Sequence, residues 1–150
     1  LMTPTCPISE GAARTHGITP EMLEGKMPLR EWWSTIGKLL SGRFVVAYNA
    51  TFDLRMLYQT ASEQGVEVPS ISFMGVFDMM QIFSTWANVP GKFGHLKWFR
   101  LSDAAYRLGV VPNGDLHRAL ADTDLTRRLT LAMSAQFVNE KEVVTEASTF

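Results

Sequence analysis

Two aspartates and a histidine hold positions from which carboxylate and imidazole chemistry could be done. Asp53 closes the stretch R-F-V-V-A-Y-N-A-T-F-D, Arg43 to Asp53, where a short apolar run gives way to helical spacing. In an open α/β sheet, the carboxyl ends of the strands are where ligands bind. The same aspartate has an ordinary structural reading, as an acid in a first helical turn favoured by the helix dipole. Asp122 lies three residues ahead of the stripe Leu125, Leu129, Met133 and Phe137, with Ala132 beside it. Its carboxylate therefore falls on the apolar face of the last long helix. A core-facing carboxylate is expensive unless it is paired or binds a metal, so Asp122 is either a cation ligand or an ion-pair partner for Arg118. Asp124 points away from that face. His117 stands five residues before Asp122, at a loop-to-helix junction. It is either a helix-start histidine or a base, because an imidazole with a pKa near 6.5 can take a proton from water at neutral pH.

The elements that must position these residues follow from pattern. Phe44 to Tyr48 is rich in β-branched and aromatic residues and reads as a strand buried on both faces, as in a parallel sheet. A helix from about Phe52 to Gln64 follows, closed by Gly65; Val66 to Ser72 is a connection containing Pro69. Phe73 to Phe77 is a second short apolar run, ending in Asp78 and leading into a helix through Trp86. Two strand-then-helix units predict a parallel α/β layout. Ahead of them, Leu1 to Gly17 reads as loop with a helical turn around Glu10 to Arg14. Thr19 caps a short helix that Gly25 stops. Pro28 opens another, with Trp32, Ile36, Leu39 and Leu40 as its apolar stripe and Gly42 at its end. Ser102 caps a short helix from Asp103 to Leu108 that Gly109 terminates, and the last helix spans roughly Arg118 to Phe137. Residues 138–150 read as a polar, frayed tail.

The irregular stretch Asn88 to Leu101 carries Lys92, His95, Lys97, Trp98 and Arg100. Between Lys92 and Arg107 four basic residues face one acid, Asp103. Basic residues interleaved with aromatics suit phosphate contact with base stacking; a solvated loop is the alternative.

Composition bounds the rest. The 150 residues suffice for one domain with a real core, and 46% apolar with 19% charged residues is ordinary for a globular protein. No apolar run approaches a membrane span, and the expected location is the cytoplasm, with no membrane partner. The single cysteine, Cys6, excludes an internal disulfide framework and fits a reducing compartment. A net charge of −1 excludes bulk electrostatic binding of nucleic acid, so any such contact must be local.

Y-N-A-T-F-D, Tyr48 to Asp53, and H-R-A-L-A-D, His117 to Asp122, resemble the second and third motifs of the DEDDh 3′–5′ exonucleases, DnaQ-like enzymes of ribonuclease-H-like fold. T-H-G-I-T, Thr15 to Thr19, resembles the H-G-I-T segment of that family, and F-D-M-M, Phe77 to Met80, its second strand-end aspartate. The segments occur in family order over nearly the whole chain. The resemblance implies an α/β, ribonuclease-H-like domain with a mixed sheet flanked by helices. It implies Asp53 and Asp122 as two of four acidic ligands for two Mg²⁺ or Mn²⁺ ions, and His117 as the general base. His16, Asn49 and Phe52 match positions lining the pocket of the 3′-terminal nucleotide. The implied partner is the 3′ end of DNA or RNA, with a DNA polymerase as a further candidate.

Two departures stand out. Tyr48 replaces a histidine common in the family at a position that looks structural. The family's first motif, D-x-E, has no counterpart in Leu1 to His16, and the chain opens on Leu1 in what reads as loop. The expectation is a domain lacking its N-terminal strands, with an open edge beside Phe44 to Tyr48, inactive with Mg²⁺ by itself and prone to associate. A non-catalytic remnant acting as a binding module is the alternative, and a different metal hydrolase of the same fold a third.

Overall fold

A computed structural model describes residues 1–67, 71–114 and 118–147, and within 138–147 the backbone alone. The fold is α/β: six helices among the described residues accompany one small sheet. In chain order these are α1 (Glu10–His16), a 3₁₀ turn (Glu21–Leu23), α2 (Leu29–Leu40), β1 (Phe44–Ala47) and α3 (Ala50–Glu63). Then come β2 (Gly75–Asp78), α4 (Met79–Ala87), a 3₁₀ turn (Lys92–Gly94), α5 (Leu101–Arg107) and α6 (Ala119–Ala147). Strands β1 and β2 pair with each other. The bonds leading into the sheet, Gly42 N–H to Ser72 O and Met74 N–H to Arg43 O, advance in the same direction along both segments. The pair is therefore parallel, joined through α3 as a strand–helix–strand unit. The chain divides into two compact units, Leu1–Val45 with Ala50–Phe77, and Val46–Asn49 with Asp78–Phe150.

In the first unit, Leu29, Trp33, Ala61 and Ile71 are buried together, with Ile36, Leu40, Leu57 and Tyr58 packed against them. Trp33 meets Tyr58 edge-on at 6.0 Å. The inward stripe of α2 thus keeps Ile36 and Leu40 of the expected one but has Leu29 and Trp33 in place of Trp32 and Leu39. Trp32 is 39% exposed and Leu39 56%. Two adjacent tryptophans and two adjacent leucines leave the stripe's phase ambiguous, and Leu29, directly after Pro28, sets it. The 3₁₀ turn starts at Glu21, with Pro20 as its cap, so Thr19 is not the cap residue. The Thr19 side chain instead bonds Glu21 and holds that carboxyl below its ordinary range.

In the second unit, Met79, Phe83, Phe99, Ala104, Leu129 and Met133 form the core, and Ala105, Val110 and Leu125 extend it. Phe83 sits edge-on to Phe99 at 5.2 Å. Helix α5 begins at Leu101 after Arg100, so Ser102 lies inside it rather than capping it. Helix α6 runs past Phe137, where the last helix was expected to end, as far as Ala147. Phe137 itself is 42% exposed and drops out of the buried stripe.

The strand Phe44 to Tyr48 is also corrected. Its pairing ends at Ala47, and its residues alternate between exposed and half-buried, with Phe44 56% and Val46 43% exposed. A two-stranded sheet leaves each strand one ladder neighbour, so an apolar run need not be covered on both faces. Among the described residues β1 pairs only with β2.

Candidate active site

Asn49 joins β1 to α3 with φ of +67°, in the left-handed region that asparagine tolerates better than most residues. Asp78, the last residue of β2, holds it there: Oδ1 accepts the Asn49 N–H at 3.0 Å. The same oxygen accepts the Met80 N–H at 3.0 Å, which makes Asp78 the N-cap of α4. One carboxylate oxygen therefore serves the turn after β1 and the first turn of α4. The sequence marked Asp78 as a strand-end aspartate without giving it this task; an acid directly ahead of a helical run was the signal.

Tyr48 anchors the same turn from the other side. Its hydroxyl donates to Phe99 O at 2.8 Å. Burial, then the carboxylates of Asp103 and Asp78, push its pKa well up, so the phenol stays protonated and keeps donating. Tyr48 is structural, as its departure from the family pattern suggested.

Phe52 and Asp53 occupy the first turn of α3 in the first unit. Asp53 is solvent-exposed, and its carboxylate at a helix N-terminus is favoured by the dipole. Phe52 is 48% exposed, with the Arg55 guanidinium over its ring 5.8 Å from the centroid. His16, half-buried, ends α1; its Nδ1 accepts the Ile18 N–H at 3.0 Å across the left-handed Gly17 cap. That bond leaves Nε2 as the nitrogen that carries the proton of the neutral ring.

Asp122 lies in the first turn of α6 in the second unit, half-buried, in line with the buried Leu125, Leu129 and Met133. Its N–H donates to Arg118 O at 3.0 Å and its carbonyl accepts from Thr126 Oγ1 at 2.8 Å, so the backbone is fixed. Asp124 is tied to Arg127 at 2.8 Å, with Arg128 at 4.0 Å. The last-helix aspartates thus divide as expected, one on the apolar line and one in surface pairs. His117 lies outside the described residues.

Asp53 with Phe52 and His16 thus belongs to the first unit, and Asn49 with Asp122 to the second. As donors, the two aspartates fit a hard divalent cation in kind, offering carboxylate oxygens on fixed helix starts. They do not fit in number: among the described residues no three Cys, His, Asp or Glu side chains group as a metal site.

Among the described residues no helix is long and apolar enough to cross a membrane. The chain is 35% identical over 129 residues, 84% of its length, to an uncharacterised exonuclease, CP81, of Escherichia phage 186. It is 24% identical over 129 residues to a DNA polymerase III of PolC type from Pediococcus pentosaceus. It spans 66% of the first relative's length and 8% of the second's. The exonuclease family model RNase_T matches residues 1–130, a family that acts on nucleic acid and is generally dependent on divalent metals. With its ribonuclease-H-like α/β fold and its aspartates at helix starts, the chain belongs to the RNase_T exonuclease family.

Proposed function

We propose that the protein is a DEDDh-type 3′–5′ exonuclease, hydrolysing the terminal phosphodiester bond of a DNA or RNA strand. The observation that carries this is the pair of aspartates at helix starts, Asp53 after β1 and Asp122 on the buried line of α6. Both lie in stretches, Tyr48 to Asp53 and His117 to Asp122, that resemble motifs of the DEDDh exonucleases. In this reading Asp53 and Asp122 would hold Mg²⁺ or Mn²⁺, which would stabilise charge on the attacking and leaving oxygens of an in-line displacement. His117 takes the proton from the attacking water. Phe52 stacks on the terminal sugar or base, while Asn49 and the Nε2–H of His16 offer polar contacts to the same nucleotide. Two aspartates carry too little charge to keep two divalent ions close, so the complete site draws on further carboxylates, as the family's D-x-E motif would supply. The PolC-type relative supports a polymerase as a candidate partner.

The test is a 5′-labelled single strand incubated with Mg²⁺ or Mn²⁺ and the chain, alone and carrying a D-x-E strand from a family member. The second form should shorten the strand stepwise from its 3′ end, and Asp122→Asn should stop it. Internal cleavage, shortening from the 5′ end, or indifference to Asp122→Asn would overturn the assignment.

A further inference from the structure

Residues Val89 to Lys97 form a closed finger in the second unit. Gly91 N–H donates to His95 O at 2.8 Å and Lys97 N–H to Val89 O at 2.9 Å, around an antiparallel bridge between Pro90 and Leu96. The closure needs glycine at its base: a Cβ on Gly91 would stand 2.8 Å from His95 O and 2.9 Å from Lys97 N. At the tip is Phe93, with φ of +55° and 93% of its surface exposed. A bulky residue in the left-handed region is an outlier that persists only where its surroundings enforce it, and such outliers gather at functional positions. The finger thus presents an aromatic ring to solvent at a conformational cost, where a glycine would sit without strain.

The surroundings are cationic. Lys97 Nζ and the Arg107 guanidinium lie 4.9 and 4.7 Å from the centroid of one buried ring, Phe99. Two exposed cations therefore lie over the same ring, a local concentration of positive charge that favours a nearby anion. Lys92 and Arg100 are exposed, and so are the aromatics Trp98 at 67% and Tyr106 at 85%. Exposed rings interleaved with cations match a single nucleic-acid strand, whose unpaired bases stack and whose phosphates take the charge. A duplex hides its base faces and would leave Phe93 without a partner.

We propose that the finger is a stacking contact for single-stranded nucleic acid, with Phe93 holding a base and Lys97 and Arg107 holding phosphate. It rests on the exonuclease reading and adds to it a preference for unpaired substrate, independent of base identity. The test measures binding of the chain to fluorescein-labelled oligothymidylate and to a blunt duplex, by anisotropy without divalent metal. Phe93→Ala should weaken single-strand binding by about 5- to 100-fold and duplex binding by less than about twofold. Phe93→Trp should restore it. Phe93→Gly should lose binding as Phe93→Ala does while melting no lower than the native chain, which separates stacking from folding. Lys97→Gln should lower the slope of log affinity against log salt by about 0.7. Unchanged single-strand affinity in Phe93→Ala overturns the proposal even where the strand is still hydrolysed. Loss of self-association instead, in sedimentation, assigns the finger to a second copy and overturns it equally. Binding lost in Phe93→Ala with no hydrolysis by any form supports the finger and removes the exonuclease reading alone.

Discussion

Asp78 holds Asn49: a carboxylate at the end of one strand accepts the N–H of a residue two places past the end of its neighbour, at 3.0 Å. Because the same Oδ1 caps α4, the turn at Asn49 is registered against the start of that helix. Replacing Asp78 by Ala removes the cap and leaves a part-buried N–H without its acceptor. Loss of about 1 to 3 kcal/mol in urea unfolding is expected. Asp78→Asn, which keeps an acceptor oxygen, should recover most of it. Equal stability of all three proteins would show that Asp78 ties nothing together.

Tyr48 predicts an alkaline signature. Its pKa is raised in the folded chain by burial and by Asp103 and Asp78, against an ordinary value of 10.0. Above that value the unfolded chain releases the phenolic proton while the folded chain retains it, so stability falls as pH rises. The contribution is complete below pH ~10 and is lost progressively above it. Tyr48→Phe should cost about 1 kcal/mol at pH 7 through the Phe99 carbonyl left without its donor. Between pH ~9 and ~11 the variant's stability should fall less steeply than that of the native chain. Parallel curves would show that Tyr48 ionises as freely in the folded state as in the unfolded.

Most of the frame was legible because each element carried local punctuation. Asp78 before an apolar run, the glycines at Gly65 and Gly109, and the line from Asp122 through Leu125 to Met133 all speak in spacing that physics restricts. What was not legible lay in tertiary context. Phe44 to Tyr48 has the composition of a fully buried strand, but composition cannot report how many neighbours a strand finds. The double tryptophan at Trp32 and Trp33 gives two phases one residue apart, which differ only in what α3 brings against them. The turn at Asn49 depends on a carboxylate twenty-nine residues away in sequence, at no recognisable local interval.

The phase of α2 can be tested directly. Trp33 is 8% exposed, packed among Leu29, Ala61 and Ile71, whereas Trp32 is 39% exposed. Trp33→Ala should destabilise the chain by about 3 to 5 kcal/mol, through lost burial and the cavity left against Tyr58. Trp32→Ala should cost under about 1 kcal/mol. Thermal or urea melts of the two variants rank them, and the reverse order would restore the stripe first expected from sequence.

The last prediction separates two aspartates one residue apart. Asp124 sits in surface ion pairs with Arg127 and Arg128, whose side chains are 60% and 31% exposed. Such pairs contribute at most about 1 kcal/mol and are screened by salt, so Asp124→Asn should lower stability slightly and leave strand hydrolysis unchanged. Asp122 lies on the buried line of α6, its backbone fixed to Arg118 and Thr126, where the proposed chemistry needs an oxygen ligand. In the chain carrying a D-x-E strand, Asp122→Asn keeps the shape and removes the charge, so it should abolish metal-dependent shortening of a 5′-labelled strand while single-strand binding without metal persists. In the same D-x-E-bearing form, His117→Ala should lower turnover by about 10² to 10⁴, the usual worth of a general base, again with binding little changed. Activity kept in Asp122→Asn and lost in Asp124→Asn would move the ligand to the other face of the helix. The carboxylate would then lie outside the stretch His117 to Asp122 that resembles the family's third motif, and the proposed site would be wrong.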